Sequence, residues 1–96
     1  MMNDKEYETL VITLEECAEV TQAISKCFRF GIDQIKPGKP KSNREHLEEE
    51  LGDLLCMIDI LVQMGVVSDS NVNAARHNKL EKLKIWSTLF EEEANE

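Results

Sequence analysis

Two acidic clusters in this 96-residue chain have the residue types and spacing for metal chemistry: Glu15-Glu16-Cys17-Ala18-Glu19 and Glu49-Glu50-Leu51-Gly52-Asp53. Each places two carboxylates three residues apart, Glu16 with Glu19 and Glu50 with Asp53. On a helix, residues at i and i+3 project from the same side. Two such helices facing each other would gather four carboxylates, whose mutual repulsion calls for a cation. An all-oxygen donor set selects Mg²⁺, Mn²⁺ or Ca²⁺ over zinc, which prefers Cys and His. Mg²⁺ commonly binds through carboxylates together with substrate phosphates, so the implied substrate is a phosphorylated small molecule.

The competing reading is an ordinary solvated helix face. Such a face normally carries Lys or Arg at i+4 from each acid. Here the i+4 neighbours of Glu16, Glu19, Glu50 and Asp53 are Val20, Ala23, Leu54 and Met57. At ~100° per residue, Glu16 and Glu19 fall among Ile12, Val20, Ala23 and Cys27. Glu50 and Asp53 fall among Leu54, Met57 and Leu61. Both helices thus set a carboxylate pair into an apolar surround, and on the first the main apolar stripe lies beside it, rotated by roughly 120°. Burying an ionised carboxylate without a partner is costly, which favours a site over a solvated face.

Three helices must carry these groups. The first is expected from about residue 4 to 30, with Leu10, Leu14, Cys17, Thr21, Ile24 and Phe28 on one face and Gly31 at its C-terminal end. Pro37, Gly38 and Pro40 then forbid helix. Ser42 with Glu45 three residues on is a capping box that opens the second helix. Its stripe is Leu47, Leu51, Leu54, Leu55, Ile58 and Val62, and Gly65 ends it. Ser68 or Asp69 caps a third, with Val72, Leu80, Leu83, Trp86 and Phe90 on the buried side. No strand pattern stands out, so the fold class is all-α, a bundle of three main helices in a single domain over residues 1–96.

The net charge of −8, from 19 acidic and 11 basic side chains, argues against gripping a nucleic-acid polymer, which needs a basic patch. Part of the excess is the run 91–96, read as a frayed tail. No segment approaches the ~18 uninterrupted apolar residues of a membrane span, and the polar start lacks a signal-peptide core. A cytoplasmic protein is expected. Cys17, Cys27 and Cys56, lacking metal-type spacing, read as small core residues.

At these residues the chain resembles the MazG-like members of the all-α nucleoside triphosphate pyrophosphohydrolase superfamily, whose pattern is Glu-Glu-x-x-Glu, a spacer, then Glu-x-x-Asp. Glu15, Glu16, Glu19 and Glu50, Asp53 match it, and the similarity runs from Leu10 to about Leu61. The resemblance implies Mg²⁺-dependent hydrolysis of a (deoxy)nucleoside triphosphate to the monophosphate and pyrophosphate, with Mn²⁺ as a substitute. By analogy Glu16, Glu19, Glu50 and Asp53 hold metal, and Glu15 orients water. The leaving pyrophosphate needs positive charge, for which Lys26 and Arg29 are candidates. A sister family that acts on phosphoribosyl-ATP commonly has His four residues after the Asp, where this chain has Met57.

Several groups stay open. The spacer is long for the family, and Lys36, Lys39 and Lys41 within it read as a solvated linker or as a cover for the phosphates. His46, one turn before Glu50 on the carboxylate side, reads as an ordinary residue at a helix start, with contact to substrate as the alternative. Relatives bring Asn or Lys from a late helix to the nucleotide, and Asn78 with Lys82 at i, i+4 resemble that arrangement without a matched motif. The uncovered apolar surface predicts a homodimer completing a four-helix arrangement, with a homotetramer as in relatives. The alternatives are a catalytically silent helical interaction module and a hydrolase of another pyrophosphate-containing nucleotide.

Overall fold

A computed structural model describes residues 1–92 of the chain. The chain is all-α, with α1 over Asp4–Phe30, α2 over Asn43–Gln63 and α3 over Asp69–Trp86. It falls into two compact units, Met1–Val66 and one beginning at Val67. The run 93–96, most of the expected frayed tail, lies outside the described residues.

Helix ends follow local chemistry. Asn3 and Glu6 form a capping box at the start of α1, and Ser42 and Glu45 form another at α2. Gly31 ends α1 with φ 96, a conformation that only glycine adopts without strain. Ser68 caps α3 by accepting from the Asn71 amide.

The connection between α1 and α2 is pinned rather than slack. The Asn43 amide donates to the Gln34 carbonyl (3.0 Å) and the Arg44 amide to the Ile32 carbonyl (2.8 Å). Asn43 Nδ2 donates to the Gly31 carbonyl at 2.9 Å, and Arg44 pairs with Asp33 at 3.0 Å. A tight turn closes between the Lys36 carbonyl and the Lys39 amide (2.9 Å), with Gly38 at φ 79.

The pair α1 and α2 is antiparallel: Thr9 meets Met64 at one end, and Gly31 meets Asn43 at the other. The face α1 turns to α2 is the acid-bearing one. Ala23 is fully buried there and Thr9 nearly so, while Glu50 and Leu61 are buried on α2. Small side chains on α1 let the two backbones approach closely. The Thr9 hydroxyl meets its own needs by donating to the Lys5 carbonyl at 2.7 Å.

Several expectations are corrected. The stripe expected to mark the face of α1 lies largely outside this contact: Leu14 is 71% and Phe28 87% exposed, and Leu51 and Leu55 on α2 are exposed too. Since the stripe is offset in the same sense on both helices, antiparallel pairing brings the two stripes to one side of the hairpin. Cys17 and Cys56 are exposed and Cys27 half-buried, so the cysteines are not core residues. On α3, Val72 and Leu83 are half-buried, but Leu80, Trp86 and Phe90 are exposed. Phe90 lies beyond the helix, because Ser87 turns extended and its hydroxyl donates to the Leu83 carbonyl at 2.7 Å. Among the described residues no helix is long and apolar enough to cross a membrane.

Candidate metal and phosphate site

Midway along the hairpin, Glu16 of α1 meets Glu50 and Asp53 of α2. One carboxylate oxygen from each lies within 4.8 Å of the others. Helical spacing explains the pairing on α2, where Glu50 and Asp53 share a side. The antiparallel register brings Glu16 opposite them. Glu50 is buried, Glu16 half-buried and Asp53 exposed, so the cluster opens to solvent on the Asp53 side.

The electrostatics of the trio are unfavourable without a cation. Glu16 Oε2 is buried and has no hydrogen-bond partner. Burial pushes the Glu16 carboxyl above its ordinary range, and the charges of Asp53, Glu50, Glu19 and Glu15 push it further. A buried acceptor with no donor, facing two more carboxylates, suits a hard divalent cation. The donor set fits Mg²⁺ or Mn²⁺, with Glu16, Glu50 and Asp53 as the residues able to hold it.

Among the described residues Glu50 has one ion-pair contact. His46, one turn earlier on α2, places Nε2 3.1 Å from Glu50 Oε1. The i, i+4 spacing puts His46 on the carboxylate side of α2, and the contact it makes is with Glu50. Glu49, next to Glu50, is instead hydrogen-bonded to Lys41, which holds its carboxyl below the ordinary value.

The remaining candidates are placed variously. Glu19 and Glu15 are exposed and line a shallow depression on α1 with Ser25. Glu19 is therefore outside the tight trio, although its charge reaches Glu16. Lys26 is half-buried near the end of α1. Arg29 lies with its guanidinium 4.8 Å over the Phe30 ring, a cation–π contact. Asn78 and Lys82 lie one turn apart on α3, both exposed.

Past His46, toward the loop, a cleft of about 590 Å³ opens between the end of α1, the connection and the start of α2. Lys26, Phe30, Lys36, Lys39, Lys41 and His46 are among its walls. That volume falls within the ~300–1,000 Å³ range of small-molecule sites.

No curated protein and no solved structure matches the chain. A family model does: the MazG nucleotide pyrophosphohydrolase domain, over residues 5–84. That span takes in both carboxylate pairs, all of α2 and most of α1 and α3. The acid-bearing helix pair and the family match agree, and the chain belongs to the MazG nucleotide pyrophosphohydrolase domain family.

Proposed function

We propose that this protein hydrolyses (deoxy)nucleoside triphosphates to the monophosphate and pyrophosphate with Mg²⁺ as cofactor. Glu16, Glu50 and Asp53 hold the metal, and Glu19 completes the set from the next turn of α1. The observation that carries this reading is the Glu16 carboxylate: its Oε2 is buried and partnerless, and one of its oxygens lies within 4.8 Å of two carboxylates of α2.

Mg²⁺, when bound, neutralises the phosphate chain and lowers the pKa of water. His46 steadies the Glu50 carboxylate through its Nε2 contact. Glu15 orients the attacking water. The water oxygen bonds to the α-phosphorus as its proton passes to solvent, and the bridging P–O bond to the β-phosphate breaks with its electron pair on the departing pyrophosphate. Lys26 offsets the charge that develops there.

The active form we propose is a homodimer. Leu14, Phe28, Leu51 and Leu55 leave an apolar side on the hairpin. Two hairpins apposed on that side form a four-helix arrangement, with the carboxylate face of each lying between its own α1 and α2.

The direct test is a panel of common dNTPs and NTPs incubated with the purified protein and Mg²⁺, with pyrophosphate and monophosphate as the products assayed. Release of both, abolished in Glu16→Gln, is the expected result. No turnover of any nucleotide by folded protein overturns the proposal.

A further inference from the structure

We propose that the lysine-lined cleft at the loop end of the hairpin is the subsite for the pyrophosphate end of the substrate, with Lys36 and Lys39 as its specificity-determining cations. The inference rests on the hydrolase reading for the identity of its anion, and otherwise on the following features.

The cleft concentrates charge of one sign in a chain of the other. Lys26, Lys36, Lys39 and Lys41 line it, four of the 11 basic side chains in a protein of net charge −8, and no acidic side chain is among the lining residues. Lys41 is paired with Glu49. Lys26, Lys36 and Lys39 have no ion-pair partner among the described residues. Three unneutralised ammonium groups around one cavity repel one another, and a polyanion relieves that repulsion.

The backbone that carries Lys36 and Lys39 is held in place. Pairing of the Asn43 and Arg44 amides with the Gln34 and Ile32 carbonyls ties the loop to α2, and the turn from Lys36 to Lys39 sets its tip. A pre-formed loop loses less entropy on ligand binding than a slack linker does. The same bonds exclude an alternative. A helix N-terminus binds phosphate through free first-turn amides, but those of Asn43, Arg44 and Glu45 are already taken, the last by Ser42 Oγ at 3.1 Å. The donors for an anion here are therefore the lysine side chains.

Position supplies the link to chemistry. His46 lines the cleft and touches Glu50, so the cavity begins about one helical turn, ~5.4 Å of rise, from the carboxylates. A phosphate chain whose α-phosphorus sits at the carboxylate cluster can extend its β- and γ-phosphates into the lysines. The cleft would then also retain pyrophosphate after cleavage, making it a product inhibitor.

The test is calorimetric titration of the full chain with inorganic pyrophosphate in the presence of Mg²⁺, for the wild type and a Lys36→Gln/Lys39→Gln variant. The loop bonds to be preserved are backbone ones, and Mg²⁺-dependent thermal stabilisation serves as the folding and metal-site control. We expect the variant to bind pyrophosphate roughly tenfold or more weakly, with metal stabilisation unchanged and product inhibition weakened in parallel. Equal pyrophosphate binding by variant and wild type overturns the subsite, as does absence of binding to the wild type. Loss of nucleoside binding with pyrophosphate binding intact also overturns it, assigning the cleft to the base beside Phe30. Lysine-dependent pyrophosphate binding without turnover of any nucleotide supports the anion site while removing the hydrolase reading. Turnover with lysine-independent pyrophosphate binding does the reverse.

Discussion

Glu16 on α1 and Glu50 on α2 bring carboxylate oxygens within 4.8 Å of each other across the helix contact. The strain falls on Glu16, whose carboxyl is raised by burial and by its acidic neighbours. A folded-state pKa above the unfolded one means that the native state holds this proton more tightly. Its stabilising contribution is complete below the unfolded value and is lost as pH rises through the folded value. Glu16→Gln should therefore melt above wild type at neutral pH without metal, and the difference should shrink as pH falls from the raised value toward the ordinary carboxylate range. Thermal unfolding of both proteins in chelator from pH 4 to 8 measures this; a variant less stable at pH 7 would contradict the repulsive cluster.

Metal should reverse that order. Mg²⁺ or Mn²⁺ at about a hundredfold excess over Kd stabilises the protein that binds it by about 2.7 kcal/mol. Wild type should gain that stabilisation, and Glu16→Gln and Asp53→Asn should gain little. Both should also lose more activity than the ~10–100-fold typical of removing a partner one shell out from a metal. Scanning calorimetry with metal titration is the readout, and equal gains in all three proteins would exclude the trio as ligands.

Removing the contact behind Glu50 should be milder. His46→Ala is expected to weaken metal affinity or activity by ~10–100-fold, while helical content is retained. An unaffected metal titration would reduce the 3.1 Å contact to a surface pairing.

Ala23 is fully buried where α1 meets α2. Ala23→Leu should wedge the helices apart at a cost of about 1–3 kcal/mol. Because Glu16 and Glu50 depend on the same close approach, metal stabilisation should fall with it. Denaturant unfolding with and without Mg²⁺ tests both effects, and loss of stability with metal affinity unchanged would separate the packing from the site.

The exposed apolar side offers an independent test. If the proposed dimer forms, Leu14→Glu or Leu55→Glu should shift it to monomer without lowering hairpin helicity, as read by light scattering and circular dichroism. A monomeric wild type at micromolar concentration would remove the four-helix arrangement.

Much of this was legible in the chain itself, because the governing interactions are local. The Ser42–Glu45 capping box, the Gly31 stop, the proline-bearing connection and the i, i+3 carboxylate pairs each depend on residues within one or two turns. The helices appear where those signals put them. Which face of each helix meets the other was a tertiary decision. Periodicity marks a leucine stripe as the most apolar face, but contact went to the side where Ala23 and Thr9 permit close approach. That choice left Leu14, Phe28, Leu51 and Leu55 outward and drew Glu16, Glu50 and Asp53 together. It also separated Glu19 from the trio, gave His46 a partner, and turned the lysines of an apparent linker toward one cleft. Spacing along one helix sets which side chains share a side; only the register between two helices sets the distance from one acid to the next.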